Sequence, residues 1–273
     1  MSTPRFLRHS VRSLVLSLPI LLLISSSALG QQPFVTDDTD TTPRGHFHFE
    51  FMNEFDLLPG TDFPNIRQNE ADFAFAYGLF KRVEVGVEAP LLTLVKAPGE
   101  LPRTVSGIGD TNLSVKYNFL KHREKSHVPA LALAFNLELP TGDVNRELGS
   151  GLADFYVNGI LQEPLTSRTT FRLNGGILFS GNQTTGVEGI KSRGTVFTGS
   201  GSFVREFSSR LQLGIELSGA VEKNFELGKG QLEGMFGGNY LLRRNLSLDF
   251  GVVAGRFTAS PRFGAKLGVS IDW

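Results

Sequence analysis

Apolar and polar positions alternate along most of this chain. From Phe263 to Trp273 the residues Phe263, Ala265, Leu267, Val269, Ile271 and Trp273 form one wholly apolar face, and Gly264, Lys266, Gly268, Ser270 and Asp272 form the other. Leu211, Leu213, Ile215, Leu217 and Val221 stand in the same way against Gln212, Glu216, Ser218 and Glu222. A period of two belongs to a strand; a helix would repeat its apolar positions at three and four residues. The pattern predicts twelve strands, over 46–56, 69–80, 83–92, 109–120, 129–139, 152–163, 169–180, 194–206, 211–223, 231–242, 246–257 and 262–273.

The connections alternate too. Those over 57–68, 93–108, 140–151 and 181–193 are long and rich in Pro, Gly, Asn and Thr, and between them sit tight turns such as Lys81-Arg82, Ser208-Ser209-Arg210 and Arg243-Arg244-Asn245. The long-side connections near 224–230 and 258–261 are short, so the rule weakens toward the C-terminus. An even number of strands about ten residues long, with long loops on one side and short turns on the other, marks an all-β transmembrane antiparallel β-barrel. Closure leaves no unpaired backbone in lipid.

A soluble sandwich or lipocalin-like barrel shares the alternation but exposes its polar face to bulk water. Here the polar face is built of Gly, Ala, Ser, Asn and single charges. Asp110, Asn112, Ser114, Lys116 and Asn118 back onto Thr111, Leu113, Val115, Tyr117 and Phe119. Small polar residues suit a confined wet lumen, whereas a soluble surface more often carries long Lys and Glu. Phe47, Phe55, Phe119 and Phe179 fall near strand ends, where an aromatic girdle meets the membrane interface. Phe suits that boundary less well than Tyr or Trp. The closing Trp273 resembles the C-terminal signal of bacterial outer-membrane barrels, which implies the barrel-insertion machinery and outer-membrane lipid as partners.

Composition narrows the classes further. The 273 residues hold 27 basic and 27 acidic side chains and no Cys. That balance gives no electrostatic footprint for nucleic acid, and the missing thiols exclude disulfides, Cys-ligated metal and thiol catalysis. Residues 1–30 read as a secretory signal peptide, with Arg5, Arg8 and Arg12 before the apolar stretch Leu14–Ile24 and a small-residue cleavage site at Ala28-Leu29-Gly30. Cleavage near Gly30 removes three bases and no acid from the balanced total, leaving a net charge of −3. The expected organisation is a leader over 1–30, a flexible or plugging segment over 31–45, and an outer-membrane barrel over 46–273.

Several motifs now carry a family resemblance. Pro33-Phe-Val-Thr36-Asp37-Asp38-Thr39, the strand entry Gly107-Ile-Gly109-Asp110, the run Pro129-Ala-Leu-Ala-Leu-Ala and the sequence Leu139-Pro140-Thr141-Gly142-Asp143, followed by Gly149-Ser-Gly151, resemble the proteins named for the MetA pathway of phenol degradation. The likeness covers essentially the whole mature chain, in order. It implies an outer-membrane barrel that passes small aromatic or other hydrophobic compounds.

The same motifs have structural readings. Leu139-Pro-Thr-Gly-Asp143 ends a strand, since Pro removes a ladder donor and Gly permits a positive φ. Gly107-Ile-Gly109-Asp110 lacks the following helix that a dinucleotide site requires. Thr36-Asp37-Asp38-Thr39-Asp40 offers hard oxygens for Ca²⁺ but lacks the Gly and distal Glu of an EF-hand loop. His46, His48 and Glu50 share one face without an evident third His, so a solvated polar face is expected there and no metal site. No Gly-x-Ser-x-Gly elbow and no Ser/His pair on a common face appears, so neither catalysis nor a cofactor is expected.

Carrying the alternation through every strand puts fifteen acids inside, among them Glu50, Glu88, Glu138, Glu206, Glu216, Asp249 and Asp272, against four bases, Lys116, Arg172, Arg262 and Lys266. Low-dielectric walls focus such a field, so the lining favours neutral or cationic solutes, with the bases pairing carboxylates across the lumen. The expected function is a channel for small molecules; a closed-lumen structural or interaction protein is the alternative, and an outer-membrane enzyme the third reading.

Overall fold

The computed structural model describes residues 33–123, 128–180, 194–222 and 228–273. The expected leader and the whole 181–193 connection lie outside them, as do parts of the 121–128 and 224–230 connections. Among the described residues the strands are β1 (Phe47–Leu57), β2 (Asn65–Phe80), β3 (Val83–Lys96), β4 (Thr104–Ile108), β5 (Thr111–Leu120), β6 (Ala130–Leu139), β7 (Asp154–Thr166), β8 (Thr169–Ser180), β9 (Gly194–Glu206), β10 (Leu211–Glu222), β11 (Gln231–Arg243), β12 (Leu246–Gly255) and β13 (Phe263–Asp272).

Every neighbour pairs antiparallel. The order runs β2-β1-β13 and then down the numbering to β5-β3, and the β2–β3 pairing closes the ring. β4 and β5 occupy one place in the wall, because β4 pairs with Leu91–Val95 of β3 and β5 with Val83–Glu88. The barrel therefore has twelve strand positions, one of them interrupted at Gly109-Asp110. The β1–β13 seam, running from His48 opposite Asp272 to Leu57 opposite Phe263, leaves no free edge there.

The faces are inverted relative to a water-soluble protein. Outward side chains such as Ile215, Leu217 and Leu267 are each more than half exposed, while inward neighbours such as Glu216, Glu70 and Asp249 are buried. An apolar belt this extensive around a polar interior needs lipid outside. Phe55, Phe119 and Phe179 lie on the outer surface. At one rim Phe47 packs on Tyr77 at 4.7 Å and on Trp273 at 5.8 Å, so the last aromatic residue caps the outer side of the β1–β13 seam.

The strands reach beyond the expected limits on the long-loop side. β2 begins at Asn65 and β3 runs to Lys96, with Asn65 opposite Lys96, so parts of the expected 57–68 and 93–108 loops are strand. A ladder that has left the lipid needs no apolar outer face, so alternation stops before the hydrogen bonds do. Gly107 and Ile108 belong to β4, and the turn into β5 is Gly109-Asp110 alone.

Candidate functional site in the barrel lumen

The chain before β1 enters the barrel. Residues 33–42 form a strap without regular structure that pairs with no strand, and the wall's side chains satisfy its backbone. Glu216 on β10 accepts from the Val35 and Thr36 amides at 3.1 and 2.5 Å. Gln162 on β7 accepts from Thr39 at 3.4 Å, and Glu84 on β3 accepts from both the amide and the hydroxyl of Thr42 at 2.6 Å. Asn118 on β5 donates to the Thr39 carbonyl at 2.5 Å. Asn174 on β8, with its amide oriented to suit both partners, donates to the Asp37 carbonyl at 3.1 Å and accepts from the Asp37 amide at 2.6 Å.

Ion pairs tighten the same level. Lys116 on β5, almost wholly buried, reaches Asp37 at 3.1 Å and Asp38 and Glu84 at 3.8 Å each. Arg172 on β8 lies 3.7 Å from Asp38. The strap's inner end is apolar: Phe34 packs with Val204, Met235 and Val253 of β9, β11 and β12. Gly214 makes room for it, because a Cβ there would stand 2.8 Å from the Phe34 ring and 2.7 Å from the Phe203 carbonyl oxygen.

Beyond Phe34, toward the long loops, the lumen widens into a cavity of about 160 Å³. One wall carries Glu54 and Asp56 of β1, Gln68, Glu70 and Asp72 of β2, and Glu88 of β3; the facing wall presents Tyr156, Asn158, Asn174, Thr198 and Ser218. The base lining it is Lys266, 2.8 Å from Glu54. Asp62, in the short 3-10 turn Gly60–Asp62 at the cavity mouth, has its carboxyl pushed up to about 6 by burial, against the opposing pull of the Thr61 hydroxyl and Arg262.

The separate loop motifs converge on one clasp at the long-loop end. Asp110 accepts from the Gly142 amide at 2.8 Å and the Ser150 amide at 2.6 Å. Thr141 donates to the Gly109 carbonyl at 2.8 Å, and Asp143 accepts from Asn145 at 3.0 Å at the start of the 3-10 turn Val144–Arg146. Pro140 follows the last residue of β6. These residues bind each other and hold the 140–153 connection over the broken β4–β5 strand.

At the opposite rim His48 bonds Asp272 at 2.7 Å and Glu50 at 2.9 Å. Ser270, on the same rung as Glu50, donates instead to Asp249 at 2.5 Å. His46 precedes β1 and is exposed. No group of three or more His, Asp or Glu side chains among the described residues converges as metal ligands.

Comparison with known proteins agrees with this architecture. The family model described as "Putative MetA-pathway of phenol degradation" matches residues 36–273. The chain belongs to this family. No curated relative matches the sequence. Among solved structures, the chain is similar to the COG4313 outer membrane channel from Pseudomonas putida F1, at 14% identity and a TM-score of 0.66 over 86% of this chain and 98% of that one. It is similar to the NanC porin at 10% identity and a TM-score of 0.58, covering 82% and 98%. A third likeness is to the translocator domain of the autotransporter NalP from Neisseria meningitidis, at 9% identity and a TM-score of 0.51, covering 85% and 90%. The shared fold is the outer-membrane β-barrel.

Within this MetA-family barrel the lumen positions expected from alternation divide into three groups. Glu216, Lys116 and Arg172 meet the strap, Glu88 and Lys266 line the cavity, and Glu50 and Asp249 sit at the His48 rim, all largely buried. Glu138 pairs in register with Asp154 near the clasp. Three expected positions differ. Glu206 and Asp272 end their strands and are exposed, and Arg262 precedes β13, where its guanidinium donates to the Arg256 and Phe257 carbonyls and not to a carboxylate across the lumen. The expectation that all four bases pair lumen carboxylates therefore fails at Arg262. Asp56, Gln68, Gln162 and Asn174 were not among the expected residues, although Asp56 and Gln68 follow the inward parity of Glu54 and Glu70.

Proposed function

We propose that this MetA-family barrel is an outer-membrane channel for uptake of small, hydrophobic or aromatic molecules, exported with a signal peptide cleaved near Gly30. The observation that carries the reading is the inversion of the wall: an apolar belt outside, and inside a polar lumen with a cavity on the long-loop side of the strap. A purely structural barrel has no need of a chamber lined by charge. The strap is the gate in this reading. It is held by side-chain hydrogen bonds and ion pairs, without a β-ladder, so it can leave the lumen without breaking the wall.

In the proposed orientation the N-terminus and the short turns face the periplasm, and the long loops and the clasp face outward. Protease added to intact cells then cuts within the long loops and spares Arg243. The strand ending at Trp273 addresses the barrel-insertion machinery, and lipid surrounds the belt. Planar-bilayer conductance of the refolded protein, paired with uptake of a labelled one-ring alcohol by cells with and without it, tests the reading. Conductance steps and faster uptake are expected. Silence from both the full chain and a chain lacking residues 33–41 would favour the closed-lumen alternative, which the strap's tight fit supports.

A further inference from the structure

We infer that the cavity above Phe34 is a binding site for a small organic ammonium ion with a one-ring apolar body. This deepens the uptake reading and rests on it for its biological meaning, while the binding itself stands on the geometry of the chamber.

The β1–β2 ladder crowds like charges into the chamber wall. Glu54 lies directly opposite Glu70 and Asp56 opposite Gln68, with Asp72 opposite Met52 on the next inward rung. Like charges directly opposite in an antiparallel pair repel. Lys266 lies 2.8 Å from Glu54. In all, the cavity is lined by seven carboxylates, Glu54, Asp56, Asp62, Glu70, Asp72, Glu88 and Glu233, against that one ammonium.

Acid clusters by themselves specify nothing, but here the unmet hydrogen bonds have a sign. Asp56 is 7% and Gln68 3% exposed, and Asp56 Oδ1 and Gln68 Oε1 each lack a partner. Gln68 gives its amide N–H to Glu70 at 3.0 Å, which fixes the orphan atom as the oxygen. Asp72 Oδ1 and Asn158 Oδ1, in the same chamber, are also without partners. All four orphan atoms are acceptors. Buried acceptors without donors are costly, so the group that suits this wall brings several N–H donors and a positive charge.

The carboxylates are spread over β1, β2, β3, β11 and the Gly60–Asp62 turn and do not converge as metal ligands. A bare metal ion needs tight convergence of its ligands, whereas an ammonium on an organic body spreads its contacts. Opposite the acids stand Tyr156 and the floor residue Phe34, both uncharged and aromatic. A volume near 160 Å³ is of the size that takes a single ring. The cation lies against β1 and β2, and the ring lies against Tyr156 and Phe34.

The test is titration calorimetry on the refolded full chain in nonionic detergent, using benzylammonium, benzyl alcohol and benzoate as matched probes against a micelle blank. Benzylammonium is expected to bind at least ten-fold tighter than benzyl alcohol in 0.15 M NaCl, and benzoate not to bind. Asp56→Asn and Asp72→Asn should each weaken benzylammonium about ten-fold and leave benzyl alcohol unchanged. Equal affinity for all three probes on the unmodified chain overturns the inference whether or not the variants fold. So does binding that methylammonium or NaCl displaces as well as benzylammonium does. The two readings separate cleanly: conductance and alcohol uptake without ammonium preference sink only this inference, and ammonium binding by a non-conducting barrel sinks only the uptake reading.

Discussion

The lumen at the strap and the lumen above it are built on the same strands, yet they balance charge in opposite ways. At the strap, Lys116 and Arg172 meet carboxylates that the strap itself brings, and the Glu216 carboxylate accepts two backbone amides. Above Phe34, β1 and β2 set Glu54 against Glu70, with Lys266 as the base lining the chamber. The lower level is thus a structural joint in which carboxylates meet cations and backbone amides, and the upper level is a chamber lined by seven carboxylates and one ammonium. Stability is concentrated in the first and binding capacity in the second. Removing a charge should therefore have opposite signs at the two levels.

The largest effect is expected at Lys116. Lys116→Met leaves Asp37 and Glu84 buried without their cation, and losing one partner of a buried pair costs about 3 to 5 kcal/mol. Denaturant unfolding in lipid vesicles measures it; a loss below about 1 kcal/mol would mean the joint is loose. Ile215→Arg places a charge in the outer belt and should cost about 2 to 4 kcal/mol near the midplane, with conductance unchanged in whatever folds. Its neighbour Glu216→Gln keeps the wall and weakens the charge-assisted bonds to the strap, which are worth about 1.5 to 3 kcal/mol each, so strap opening and conductance should rise. Equal folding defects at 215 and 216, without a change in conductance, would contradict the assignment of inside and outside.

The chamber should respond the other way. Glu70→Gln removes the like charge opposite Glu54 and should stabilise the barrel by about 0.2 to 1 kcal/mol. Destabilisation would show that the chamber's charges are structural as well, and the contrast between the levels would fall. The effect at the mouth depends on pH. Asp62 holds its proton up to about 6, against 3.8 for an ordinary Asp, so its contribution to stability is full below pH 3.8 and fades as pH rises through about 6. Asp62→Asn should flatten the unfolding profile across that window and leave it unchanged above pH 7.

Much of the wall was legible in the sequence, because lipid outside and water inside impose the period of two that a reader can see. Leu213, Ile215 and Leu217 declare their face, and Glu216 and Ser218 declare the other. The pattern failed where its cause stopped. Asn65–Gln68 and Thr93–Lys96 continue their ladders in water, where no apolar outer face is required, so nothing in the alternation marks them as strand. Parity also misplaced Arg262, since counting inward positions assumes a strand where the chain is still turning.

In the sequence the strap reads as a flexible or plugging segment without alternation, with no sign of its path. Its path is fixed by hydrogen bonds to residues 42 to 181 positions away, Glu84, Asn118, Gln162 and Glu216 among them, and no local pattern encodes them. The motifs behind the family resemblance were visible from the start. That Asp110 ties Gly142 to Ser150 was not, because the clasp exists only once β5 and the 140–153 connection meet.

On this reading a polar, carboxylate-lined lumen conducts, and the strap closes it. Reversal potentials in a salt gradient, measured on the full chain and on the chain lacking residues 33–41, test it most directly. Cation selectivity is expected in both, with a severalfold larger conductance without the strap. Anion selectivity, or a conductance that the truncation leaves unchanged, would contradict it.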